Sequence, residues 1–184
     1  MNLANRLTIL RILLVPLFIA SLLYYTPDKS FFRAIAIIIF LLACLTDGLD
    51  GYLARKMHEK TTLGSYMDPI ADKLLLMSGF LSLSLMPHLP PYMHVPAWVT
   101  IPIISRDVVI LLGALFVFMS TGSLKAKPLF ISKLTTVVQM STLLLSLLAA
   151  PFMVREVFYF LVVALTLWSG SRYIRMGGQM FQEP

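Results

Sequence analysis

The chain has 184 residues, 58% of them apolar and only 13% charged, against roughly 45 to 50% apolar and about 25% charged in soluble domains. That balance excludes an ordinary soluble domain and predicts an all-α integral membrane protein. Its net charge of +6 could suggest nucleic acid, but the bases stand at the ends of apolar stretches, where lipid headgroups and membrane orientation account for them and no nucleic acid is implied.

A membrane span needs about 20 mostly apolar residues, and six stretches qualify: Leu7 to Tyr25, Phe31 to Leu53, Ile70 to Pro87, Pro96 to Ser120, Phe130 to Pro151 and Val157 to Tyr173. The first carries Arg11 and Pro16 and has no small-residue cleavage site, so it reads as a retained span and not a removable signal. Thr26-Pro27-Asp28-Lys29, His88-Leu89-Pro90-Pro91-Tyr92 and Thr121-Gly122-Ser123 break the chain between spans. The expectation is a single domain over residues 1–184, a six-transmembrane-helix bundle. Ten Lys and Arg fall on one side of the spans (Arg6, Arg11, Arg55, Lys56, Lys60, Lys125, Lys127, Lys133, Arg172, Arg175) and three on the other (Lys29, Arg33, Arg155). The basic side is cytoplasmic. Both termini then lie in the cytoplasm, with the protein in the cell inner (cytoplasmic) membrane.

The first and second spans lead to the one acidic region. Asp47 and Asp50 are three residues apart, and Asp68 and Asp72 four, so each pair shares a helix face if both stretches are helical. Carboxylates next to hydrocarbon are costly unless compensated, and those that persist there usually mark a working site. A bound divalent cation is the simplest compensation, and oxygen-only ligands favour Mg²⁺ or Mn²⁺ over zinc. These acids close the second span and open the third, so the active site is expected on the cytoplasmic side.

Several neighbours have a plainer reading beside the functional one. Gly48, Gly51 and Ala54 could be helix-packing surface, or could leave backbone open to a ligand. Arg55 could snorkel; beside a metal cluster its fork suits a phosphate. Pro69 is expected just inside the third helix, with Asp68 as its N-cap; Asp72, one turn deeper, cannot be a cap. Together these residues suit phosphoryl transfer, with one aspartate taking the proton of an attacking hydroxyl. Helix periodicity does not choose which.

The full pattern Asp47-x2-Asp50-Gly51-x2-Ala54-Arg55-x8-Gly64-x3-Asp68-x3-Asp72 resembles the signature of the CDP-alcohol phosphatidyltransferases, and the length and six-span plan are similar over the whole chain. The resemblance implies two divalent ions held by Asp47, Asp50, Asp68 and Asp72, with Asp72 as the base. It implies that Gly51, Arg55, the Thr61 region, Asn5 and Thr8 contact the CDP moiety of CDP-diacylglycerol, that CMP leaves, and that the protein is a homodimer.

The acceptor is read from the opening and the fourth span. Asn5-Arg6-Leu7-Thr8-Ile9-Leu10-Arg11 resembles phosphatidylglycerophosphate synthases, whose acceptor is glycerol 3-phosphate. Ile104-Ser105-Arg106-Asp107-Val108 departs from their usual Arg-Glu with a further arginine, and with Ile131-Ser132-Lys133 it is equally similar to CDP-dependent cardiolipin synthases, whose acceptor is phosphatidylglycerol. Arg106 and Lys133 are the acceptor-site candidates on charge grounds, against an internal ion pair for Arg106 and snorkelling for Lys133. Asp107, turned about 100° from Arg106 around a helix, is expected to need another cation. Cys44 reads as packing, and His58, His88 and His94 lack metal-ligand spacing. Tyr24, Tyr25, Tyr92, Trp98 and Trp168 read as interfacial aromatics. A divalent-cation transporter is the rival from another class, but it would need acids across the whole bilayer depth.

Overall fold

The computed structural model describes residues 3–57, 62–121 and 130–180; the side chains of 3–6, 47–70, 72, 114–118, 120–121, 174 and 176–180 lie outside that description. Six helices follow one another, α1 (Leu3–Leu23), α2 (Phe31–Met57), α3 (Thr62–Leu85), α4 (Ala97–Thr121), α5 (Phe130–Leu147) and α6 (Phe152–Met180), with a 3-10 turn at Pro27–Lys29. The described residues contain no strand. Each helix overlies one of the six apolar stretches.

The helices outrun the apolar stretches where the acids lie. α2 continues to Met57 because Leu53-Ala54-Arg55-Lys56-Met57 are all strong helix formers. α3 begins at Thr62, so Pro69 is not at its start but in its eighth position. Asp68 is therefore inside the helix and is not an N-cap, and Pro69 leaves the Ser65 carbonyl without its usual N–H partner. Pro16 in α1 and Pro102 in α4 are likewise internal.

Among the described residues two helical segments, Phe130–Leu147 and Phe152–Tyr173, are long and apolar enough to cross a membrane. Shorter apolar stretches among the described residues are Leu7–Leu23, Phe31–Thr46 and Lys73–Leu85. Apolar side chains face outward as well as inward: Leu13, Leu17, Ile38, Leu112 and Val157 are each more than half exposed. A helix that is apolar all round is built for hydrocarbon or for a large core.

The chain forms two compact units. The first holds residues 1–95 and 143–150. In it α1 packs along both α2 and α3, and Thr8, Arg11, Phe18 and Leu22 repeat at helical spacing on its buried side. They meet Ala36, Phe40 and Ala43 of α2 and Ala71, Leu75 and Phe80 of α3, all nearly inaccessible, with the Phe18 and Phe40 rings 6.1 Å apart. The 86–95 segment folds back on this core: the Val95 N–H donates to the Leu83 carbonyl at 3.1 Å, His88 Nε2 lies 3.0 Å from the Leu22 carbonyl, and the hydroxyls of Tyr25 and Tyr92 are 3.2 Å apart.

The end of α5 also belongs to this unit. Ala150 N–H donates to Leu145 O at 2.9 Å and Ala149 N–H to Ser146 O at 3.1 Å, the paired bonds of a Schellman C-cap. Its left-handed position, usually glycine, is filled by Ala149 with φ of 55°.

The second unit holds residues 96–142 and 151–184. α4 packs on α6, and Trp98 stacks against Phe160 with centroids 5.1 Å apart. Its core is conspicuously polar: Thr100, Arg106, Asp107, Thr135, Gln139, Thr142, Thr166 and Ser169 are all buried among Val99, Ile103 and Val162. Within this set Arg106 binds Asp107 and Ser169, and Thr135 and Thr142 donate to carbonyls one turn back at 2.8 and 2.7 Å, while Thr100 Oγ1, the Gln139 amide and Thr166 Oγ1 are buried without a hydrogen-bond partner among the described residues.

Candidate functional site

The signature residues occupy matched levels on consecutive helices. Asp47 stands ten residues before the end of α2 and Asp72 ten after the start of α3; Asp50 and Asp68 stand seven and six away. At 1.5 Å per residue this puts one acid of each pair about 15 Å and the other about 10 Å from the helix ends that residues 58–61 join. The three- and four-residue spacings do fall within helices, so each pair shares a face. The side chains of Asp47, Asp50, Asp68, Asp72, Gly51, Arg55 and Asn5, and the whole of Thr61, lie outside the described residues.

α1 brings the amino-terminal element to the same unit. Asn5 is in its first turn, and Thr8 is buried and engaged by a partner. One turn further, Arg11 is only 1% exposed. Counted in the sequence as a cation for the membrane surface, it is instead a buried, partnered group, because α1 is covered by helices on two sides.

Arg106 is the centre of a second constellation, in the second unit. Its Nη1 donates to Asp107 Oδ1 at 2.6 Å, and its Nη2 donates to Ser132 Oγ at 2.8 Å and Ser169 Oγ at 2.6 Å. The guanidinium carbon lies 5.9 Å from the centre of the Tyr173 ring. The neighbour Asp107 is thus the cation's partner. The expectation that the helical turn separates them fails because the arginine side chain is long enough to reach round to the next residue. Gly170 lies against the same side chain: a Cβ on it would make ordinary van der Waals contact with Arg106 Cγ at 3.5 Å.

Ser132 is the third residue of α5, so Arg106 reaches the first turn of that helix, where backbone N–H groups have no intrahelical acceptor and the dipole favours anions. Lys133 follows at once and is exposed. Arg106 and Lys133 therefore stand at one helix start, the buried cation beside the exposed one. Sequence reasoning did not find Ser132 as a ligand of Arg106, nor Ser169 or Tyr173. The signal was present in the polar stripes Ser132-Thr135-Gln139-Thr142 and Thr166-Ser169-Tyr173, spaced three or four apart through otherwise apolar helices.

An all-helical apolar chain with two pairs of acids at matched levels of two consecutive helices has the frame of a membrane-associated transferase. The chain belongs to the CDP-alcohol phosphatidyltransferase family, whose sequence pattern matches residues 1–168. Among similar proteins, a CDP-diacylglycerol--glycerol-3-phosphate 3-phosphatidyltransferase of Pseudomonas fluorescens is 36% identical over 95% of this chain and 89% of its own length. One of Shigella flexneri serotype 5b is 31% identical over 94% of this chain and 93% of its own. A probable phosphatidylglycerophosphate synthase of Mycobacterium tuberculosis is 43% identical over 58% of this chain, and there the match spans about half of the relative, 48%.

Proposed function

We propose that the chain transfers the phosphatidyl group of CDP-diacylglycerol to the primary hydroxyl of glycerol 3-phosphate, giving phosphatidylglycerophosphate and CMP. The observation that carries this reading is the matched placement of Asp47 and Asp50 on α2 and Asp68 and Asp72 on α3. Relatives similar over nearly the whole chain bear the name of that reaction, which supports the choice of acceptor.

The donor set fits hard divalent ions: four carboxylates on two adjoining helices, without histidine or thiolate. Asp47, Asp50, Asp68 and Asp72 would hold two Mg²⁺ or Mn²⁺. When bound, such ions neutralise the diphosphate and stabilise the departing CMP oxygen. Asp72 takes the proton of the acceptor hydroxyl as its oxygen bonds to the lipid-bearing phosphorus and the bond to the CMP oxygen breaks. Gly51, Arg55, Thr61, Asn5 and Thr8 bind the CDP moiety, Gly51 by leaving backbone accessible and Arg55 by its fork. Arg106 and Lys133 bind the acceptor's phosphate.

The outward-facing leucines and the ten-to-three distribution of bases support six spans in the cell inner membrane with both termini cytoplasmic, and the family resemblance supports a homodimer. Phosphatidylglycerol as acceptor, giving cardiolipin, is the second reading, favoured by the absence of the later arginine of the fourth span and by the similarity of Ile131-Ser132-Lys133 to the CDP-dependent cardiolipin synthases.

Purified protein in detergent with CDP-diacylglycerol, Mg²⁺ or Mn²⁺ and either acceptor tests these readings together. CMP released with glycerol 3-phosphate alone is the expected result. Release with phosphatidylglycerol alone transfers the assignment to the second reading. No release with any alcohol, while Mn²⁺ crosses liposomes that contain the protein, would mean a transporter.

A further inference from the structure

Arg106 is already occupied. Of the five N–H donors of a guanidinium, three are in use: one on Nη1 toward Asp107 and both on Nη2 toward Ser132 and Ser169. The two donor pairs that grip an oxyanion bidentately, Nε with Nη2 and Nη1 with Nη2, both include Nη2. Neither fork is whole as the side chain stands. A phosphate can be held bidentately only by displacing a serine hydroxyl, and it arrives beside a carboxylate that is itself 0% exposed.

We propose that Asp107 is a specificity-determining residue, an internal anion that Arg106 exchanges for an acceptor phosphate carrying more charge. The inference rests on Arg106 binding the acceptor. A phosphate monoester bears about −1.5 to −2 at neutral pH, whereas a phosphodiester bears a single charge, the same as the carboxylate. At equal distance the attraction scales with that charge. Exchange of Asp107 for a diester therefore gains little, and exchange for a monoester gains, net, up to about as much attraction again as is given up. Asp107 thereby sets a charge threshold: it selects glycerol 3-phosphate and rejects phosphatidylglycerol and uncharged alcohols.

The experiment compares kcat/KM for the two acceptors in the unaltered protein, Asp107→Asn and Asp107→Glu, each in detergent with CDP-diacylglycerol and metal. Asp107→Asn is expected to lower the preference for glycerol 3-phosphate over phosphatidylglycerol by about tenfold or more, chiefly through KM, and Asp107→Glu to keep it. An unchanged preference in Asp107→Asn overturns the proposal. A second measurement needs no variant: inorganic phosphate should compete with glycerol 3-phosphate at least about tenfold better than dimethyl phosphate does, and equal inhibition also overturns it. Failure of the underlying reading looks different. Arg106→Ala would then leave the acceptor KM unchanged whatever Asp107 does.

Discussion

Ser169→Ala removes one acceptor from the Arg106 guanidinium and nothing else of consequence. The Ser169 hydroxyl oxygen lies 2.6 Å from Nη2, and both residues are buried, so water does not replace it. Hydrogen bonds to charged groups contribute about 1.5–3 kcal/mol, whereas uncharged ones between membrane helices average about 0.6 kcal/mol. Burial and the cation's charge place this bond in the upper group, and the expected loss is about 2 kcal/mol, roughly 30-fold in the unfolding equilibrium. Reversible unfolding in mixed micelles, followed by the fluorescence of Trp98 and Trp168, reads it. Ser132→Ala, which removes the other acceptor of the same nitrogen, should cost a similar amount, and the double variant should depart from additivity by at least about 0.5 kcal/mol. A change under about 0.5 kcal/mol for Ser169→Ala would refute the premise that Arg106 is held by these serines.

Asp72→Asn should retain protection by CMP and metal in a thermal-shift assay while turnover falls by orders of magnitude; near-normal turnover would remove Asp72 from the role of base. Ala149→Gly relieves a left-handed alanine at the end of α5, a net gain of about 0.5–1 kcal/mol that should raise the unfolding temperature by roughly 2 °C; a lower temperature would show that no strain is stored there. Leu143 is fully buried, and a Cβ added at Gly79 would lie 2.9 Å from its Cδ1. Leu143→Ala should cost about 3 kcal/mol and Gly79→Ala about 1 kcal/mol. Together, with the new methyl filling vacated space, they should cost less than their sum, and strict additivity in chemical denaturation would contradict that packing.

The six helices were legible from apolar runs, and the family from the fixed spacing of its signature, because both depend on residues close in sequence. Helix ends were less so: polarity marks where hydrocarbon stops, and the backbone of α2 and α3 goes on past that point, which moved Pro69 from a helix start to a helix interior. Ala149 at a left-handed position was invisible, since an alanine carries no sign that a cap requires it. Partner choice was hardest. Nothing local reveals that Arg106 would be met by Ser169 from another helix, or that Arg11 would be enclosed by helices on both sides, because those contacts come from packing. The pairing of Arg106 with Asp107 was misjudged for a different reason: backbone angle alone ignores the reach of a flexible side chain.

That pairing bears on how the protein is made. Opposite charges on successive residues travel together, so α4 leaves the ribosome with its arginine already neutralised, before α5 and α6 have been synthesised. The serines arrive afterwards, and they lock an orientation that the helix brought with it.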